Sequence, residues 1–191
     1  MLKQIFLIRH GETEWSLSGA HTGRTDIPLT ANGRNQAAAL GRYLAGRKFA
    51  IVLTSPLQRA LDTCRLAGYG DVAQTDPNLS EWNYGDYEGR TTSQIRQDRP
   101  DWSLWTDGFP NGETIHQVAA RADAVIARLL PVDGDAALFA HGHILRILTA
   151  RWLGLEPAAA RCFAMGTASI GTLGYERETR VITSWNLLAS G

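Results

Sequence analysis

The sequence predicts an α/β sandwich of three layers, with helices on both faces of a mostly parallel central sheet. Residues 4–8 (QIFLI), 50–54 (AIVLT) and 136–140 (AALFA) are compact apolar runs of strand length. Their near-continuous hydrophobicity suits strands covered on both faces. Stretches of helical period stand between these runs, so strand and helix alternate along the chain. The later runs, 167–174 and 180–186, are less apolar and alternate, which suits a closing antiparallel pair or a sheet edge.

Four helices are legible from caps and stripes. After Thr30, a favoured N-cap residue, Ala37, Leu40 and Leu44 recur at helical spacing until Gly46. Ser55-Pro56 reads as an N-cap followed by proline at the first helical position, with Leu57, Ala60, Leu61 and Cys64 on one face. Thr114 to Gln117 is a capping-box pattern, continued by Ile115, Val118, Ala122, Val125, Ile126 and Leu129. A last helix follows His141-Gly142 and carries Leu145, Leu148 and Trp152. The segment at about 82–113 differs: it is rich in Trp, Asp, Gly and Pro, with one short helix near 92–98 halted by Pro100. Long irregular segments of this kind tend to be lids or binding loops.

Bulk properties bound the rest. At 191 residues the chain is long enough for one well-buried core and short for two. No repeat, low-complexity tract or linker divides it, so one domain over 1–191 is expected, with 82–113 as a lid-like segment. Nineteen basic and nineteen acidic residues balance, which gives no sign of a nucleic-acid or membrane-surface binder. No apolar run approaches the roughly 20 residues needed to span a bilayer. The first residues lead straight into Arg9-His10 without a small-residue cleavage site, and read as a strand rather than a signal peptide. Cys64 and Cys162 each lie beside apolar residues and are expected as reduced core residues, in keeping with a cytoplasmic location. Oligomeric state is left open by these features.

Chemistry concentrates at predicted strand ends. Arg9-His10-Gly11-Glu12 follows the first apolar run directly, and ligands of α/β sheets usually bind at the carboxyl ends of strands. Glycine after His10 leaves the backbone open to close approach by an anion, and Arg9 adds a fixed charge with bidentate donors. The second run ends at Thr54, with Arg59 on the first turn of the helix beyond; the third ends in Ala140-His141-Gly142-His143. Two arginines, two histidines and a helix N-terminus converging make a dianion pocket that the neutral total conceals. An isolated histidine at a strand end is usually structural, and an arginine on a first helical turn usually a solvated surface group. A His-Gly pair at two strand ends with an arginine at a third outweighs that reading.

These segments resemble a known family. Residues 7–15 (LIRHGETEW), 22–30 (TGRTDIPLT), 55–63 (SPLQRALDT), 79–85 (LSEWNYG) and 140–143 (AHGH) are similar, in order, to motifs of the histidine phosphatase superfamily. That group is metal-independent and also contains the cofactor-dependent phosphoglycerate mutases, whose α/β/α fold the resemblance implies. It further implies a small-molecule phosphate ester as substrate and no cofactor. His10 is then the nucleophile that forms a phosphohistidine. Arg9, Arg59 and His141 hold the equatorial oxygens. Glu81 matches the proton donor, which must carry its proton in the first step; Trp82 and Tyr84 could desolvate it. Ser16, Thr22 and Gly23 match loop positions that contact phosphate or substrate, Ser16 replacing an asparagine common among the mutases. Tyr84 and His143 lie in the matching motifs as further candidate contacts, and Gly142 could offer its backbone N–H.

The mutases hold a substrate carboxylate with a lysine and an arginine pair downstream of the motif containing Glu81. Here the lysines are Lys3 and Lys48, both upstream, and no two arginines are adjacent. Hydrolysis is therefore favoured over mutase activity. Residues 14–19 (EWSLSG), 21–23 (HTG) and 81–89 (EWNYGDYEG) resemble the branch that includes sedoheptulose-1,7-bisphosphatase, which implies a sugar phosphate or bisphosphate. Trp102 and Trp105 could stack on substrate or anchor the loop. Two readings from other classes compete. His141 and His143 with His10 and His21 could form a metal site, although no carboxylate or cysteine stands at ligand spacing. A non-catalytic phospho-ligand module would be expected to lack His10 or Glu81, and both are present.

Overall fold

A computed structural model describes residues 2–189. Among them six strands form one mixed sheet: β1 (Leu2–Arg9), β2 (Ile51–Thr54), β3 (Ala73–Thr75), β4 (Gly134–Ala140), β5 (Ser169–Glu176) and β6 (Thr179–Leu188). The spatial order is β3-β2-β4-β1-β5-β6. β1, β2, β3 and β4 run parallel, and β5 and β6 close one side antiparallel. The expected three-layer sandwich is what forms. β3 escaped the sequence reading because Ala-Gln-Thr is short, polar and exposed, as edge strands often are.

Side chains alternate across the central strands and feed two cores. Ile5, Leu7, Leu53, Ala136 and Leu138 face α5 (Ile115–Leu129) and α6 (Gly142–Trp152). Phe6, Ile8, Val52, Ala137 and Phe139 face α2 (Ala31–Leu44) and α3 (Gln58–Leu66). Each fully buried Leu or Ile contributes roughly 1.5–3 kcal/mol, so both cores stabilise the packing of helices on the sheet. The Thr30 and Thr114 caps form as expected, the latter as a full capping box.

Two local expectations need correction, and one short element was not read from the sequence. α3 begins at Gln58, not at Pro56, and its first turn has no side-chain cap. Ser55 is drawn away: its hydroxyl bonds His141 and accepts from Leu57 N. A short helix, α1 (Glu14–Ser18), follows the first motif, capped by Thr13 and Ser16; five residues are too few for periodicity to reveal. Cys64 is buried but Cys162 is exposed, because the chain there is a 3-10 turn (Pro157–Cys162) on the surface.

Within 82–113, α4 (Thr92–Asp98) appears where expected. The rest of the segment is pinned by its aromatics. Trp102 is fully buried, donates Nε1–H to Gly108 O, and packs edge-on against Tyr87 and Phe109. It anchors the loop rather than facing a ligand.

Candidate functional site

The parallel arrangement puts the carboxyl ends of β2, β4 and β1 side by side. Arg9 pairs in register with Ala140, and Thr54 with Phe139. The residues just beyond are then tied across the edge: His10 N donates to Ala140 O at 2.9 Å and Ser55 N to Phe139 O at 2.9 Å. His10, Ser55 and His141 meet there as a direct result of strand register.

His10 is 5% exposed. Its Nδ1 lies 2.7 Å from the Gly11 carbonyl, which can only accept, so Nδ1 carries the proton and Nε2 keeps a free lone pair. Burial, then the charges of Arg9 and Arg59, hold the imidazole well below the usual histidine range. A neutral ring with an unprotonated Nε2 is the form that can act as a nucleophile. Gly11 serves a purpose other than the expected anion approach. A Cβ there would lie 2.4 Å from Gly33 O, and one on Gly33 would lie 2.1 Å from Glu12 O, so α2 packs backbone to backbone on the loop that carries His10.

Arg9 and Arg59 do different things. Arg9 donates Nη1–H to Met165 O at 2.6 Å, while its Nε is buried with no acceptor in reach. A buried donor that no protein acceptor uses is free to bind an oxyanion. Arg59 is fully buried and almost fully engaged: Nη1 to Thr25 O, Nη2 to Thr22 O and Gly23 O, and Nε to His141 Nδ1 at 3.1 Å. Because Nδ1 accepts, His141 carries its proton on Nε2 and donates to Ser55 Oγ at 2.7 Å. Burial and Arg59 keep this ring neutral too, well below the usual range. The rings of His10 and His141 stand 5.2 Å apart.

Glu81 is 5% exposed and bridges two elements. Oε1 accepts from Trp82 N and Ile144 N, and Oε2 from His143 N, each at 3.0 Å. The last two donors belong to the first turn of α6, whose leading N–H groups have no partner within the helix. Three of four lone-pair directions are taken, which leaves one free on Oε2.

These groups border a cleft of about 270 Å³. Of the expected residues, Arg9, His10, Ser16, Thr22, Glu81, Tyr84, Gly142 and His143 line it. Arg59 and His141 lie behind His10 rather than on the cleft wall. Gly23 is buried outside the cleft, its N–H bonded to Glu88 at 2.7 Å. The Ser16 hydroxyl is used in the α1 cap, donating to Thr13 O at 2.8 Å. Trp102 and Trp105 do not line the cleft. His141 and His143 do not share a site, since His143 Nδ1 is hydrogen-bonded to Tyr84 OH at 2.5 Å. Burial raises that phenol well above its ordinary range and lowers His143, so Tyr84 keeps its proton and the His143 ring is neutral.

Sequence reasoning missed Arg146, which lines the cleft one turn into α6. Helical spacing could have found it, because i+3 from His143 and i+4 from Gly142 share a face. Its guanidinium stacks 4.6 Å from the Trp105 ring centre and donates to Ala160 O and Arg161 O. Two N–H groups on Nη1 and one on Nη2 are left over.

An acid phosphatase of Mycobacterium tuberculosis is 45% identical over 181 residues, covering 93% of this chain and 89% of the relative. A sedoheptulose 1,7-bisphosphatase of Saccharomyces cerevisiae is 37% identical over 182 residues, 78% of this chain and 67% of the relative. The solved structure of an open reading frame product from Mycobacterium tuberculosis superposes with a TM-score of 0.92 at 42% identity, covering 98% of this chain and 99% of that one. The histidine phosphatase superfamily (branch 1) matches residues 5–188. With a neutral histidine at a strand end beside an arginine whose buried Nε has no protein partner, and these relatives along nearly its whole length, the chain belongs to branch 1 of the histidine phosphatase superfamily and is a phosphatase.

Proposed function

We propose that this phosphatase hydrolyses a small sugar phosphate or bisphosphate through a phosphohistidine on His10. The observation that carries the reading is the pair at the end of β1: His10 with Nδ1 pinned to Gly11 O, and Arg9 with a buried Nε awaiting an acceptor. His10 Nε2 attacks phosphorus in line as the bond to the ester oxygen breaks. Glu81 Oε2 gives its proton to that departing oxygen. In the second half, Glu81 takes a proton from water, the water oxygen attacks phosphorus, and the P–N bond breaks to release inorganic phosphate and neutral His10. Arg9 holds phosphoryl oxygens directly. His141 reaches them by exchanging its Ser55 hydrogen bond for a phosphoryl oxygen, and Arg59 supplies charge from behind. His143 and the Gly142 N–H, which line the same cleft, complete the cradle.

Support for a substrate with a second anionic group comes from Arg146, whose spare donors border the same cleft, and from the bisphosphatase among the relatives. The cytoplasm suits the exposed free thiol of Cys162. The test is a panel of sugar phosphates, bisphosphates and phosphoglycerates, with released phosphate and isomerised product measured separately. Phosphate release without isomerisation is expected, and His10→Ala should lower the rate by at least about 10⁴-fold. Wild-type turnover in His10→Ala would sink the mechanism; predominant isomerisation would replace the phosphatase with a mutase.

A further inference from the structure

The loop bearing Glu81 is held from behind by a pair of residues that touch neither cleft chemistry nor each other's neighbours by chance. Arg121, from the second turn of α5, places Nε and Nη2 on the two oxygens of the Glu113 carboxylate, both at 2.9 Å. Its Nη1 donates to Asn78 O at 2.8 Å and Ser80 O at 2.7 Å, and Nη2 also to Glu81 O at 3.4 Å. All five N–H groups of the guanidinium are thereby used. Glu113 returns to the same loop from the other side. Its Oε2 accepts from Asn83 N, its carbonyl from Trp82 Nε1, and its N–H donates to Asn83 O. Residues 78–83 are thus fastened on both sides of Glu81.

Packing does not do this work alone. Glu81 borders a second hollow, of about 400 Å³, whose wall includes Asn78, Ser80, Glu113 and Arg121. Where close packing is lacking, hydrogen bonds have to fix the backbone. The ion pair is mostly buried, with side chains 18% and 15% exposed, so removing Arg121 leaves Glu113 and three carbonyls short of donors, and removing Glu113 leaves the guanidinium short of its acceptor.

We propose that Glu113 and Arg121 are positioning residues for proton transfer: their clamp sets the Glu81 carboxylate at the N-terminus of α6, in reach of the departing oxygen. The inference rests on the reading of Glu81 as proton donor. Esters with poor leaving groups need that proton, whereas aryl phosphates leave almost unaided.

The experiment measures kcat/KM for glycerol phosphate and para-nitrophenyl phosphate in the wild type, Glu81→Gln, Arg121→Met, Arg121→Lys, Glu113→Gln and the double variant Arg121→Met with Glu81→Gln. Arg121→Met should slow the alkyl ester by about tenfold or more and the aryl ester by less than about threefold. Arg121→Lys should behave like Arg121→Met, because the charge remains but the fork is lost. In the Glu81→Gln background the selective loss should vanish, since the clamp acts through Glu81. Should Arg121→Met fail to fold, Glu113→Gln and Arg121→Lys carry the same comparison. Equal slowing of both esters in the clamp variants, or a full additive loss in the double variant, overturns the clamp while leaving Glu81 in place. Equal slowing of both esters by Glu81→Gln itself overturns the proton-donor reading first.

Discussion

At the scale of single residues, the site works by deciding where protons sit. A histidine in water titrates near pH 6.5, and two arginines nearby would not by themselves choose which nitrogen is bare. The Gly11 carbonyl does that for His10, and Arg59 Nε does it for His141. Arg146 shows the same economy of donors. Two of its N–H groups hold the 160–161 carbonyls and the ring of Trp105 supports its plane, so a side chain that borders the cleft is already ordered and loses little further entropy on binding. Arg146→Met should therefore raise KM for a sugar bisphosphate at least about tenfold more than KM for a simple aryl phosphate. Steady-state kinetics on the two substrates checks this, and an equal rise would remove Arg146 from recognition of a distal anion.

At the scale of elements, close backbone contact positions the nucleophile loop. Replacing glycine by alanine inside a helix ordinarily favours the helix by about 0.5–1 kcal/mol. Gly33 lies within α2, yet a Cβ there would meet three backbone atoms of Glu12, at 2.1, 2.8 and 3.0 Å. Backbone cannot step aside as a side-chain tip can. The overpacking cost, about 1–3 kcal/mol, outweighs the propensity gain, so Gly33→Ala should destabilise the protein. It should also lower kcat, because α2 is tied to the same loop by Thr30 N on Glu12 O and Thr30 Oγ1 on Glu12 Oε1. Urea unfolding and activity measured together test it; a stabilised, fully active variant would contradict the packing argument.

At the scale of the whole molecule, burying neutral histidines ties stability to pH. Burial lowers His21 to about 4, between the rings of Tyr84, Trp102 and Phe109, and His10, His141 and His143 shift the same way. Above pH 6.5 both folded and unfolded states hold neutral imidazoles, and these groups add no pH dependence. Below it the unfolded chain binds protons that the folded chain refuses, so stability falls as pH drops from 6.5 toward 4, by about 1.4 kcal/mol per pH unit for each such group. His21→Phe should flatten that slope by about one proton's worth. Urea midpoints between pH 4 and 7 measure it, and a slope unchanged by the substitution would show that His21 accepts its proton in the folded state.

The alternation of apolar runs with capped helical stripes determined the sandwich and which side chains enter its core, because a strand covered on both faces has to be apolar throughout. It also determined that Arg9-His10 and His141 share one edge, since parallel strands end together. The division of labour among them was decided only in three dimensions. Arg59 looked like a ligand for phosphate, but its place behind His10 spends its donors on the 22–25 carbonyls and on His141. Ser55 looked like a helix cap and became a partner of His141. Gly23 matched a substrate-contacting position, yet its N–H is taken by Glu88, 65 residues away in sequence. Glu113 and Arg121 carried no motif at all and clamp the loop of Glu81. Local sequence specifies what each residue can donate or accept. Which partner it finds depends on distances between segments far apart in the chain, and those exist only once the sheet has assembled.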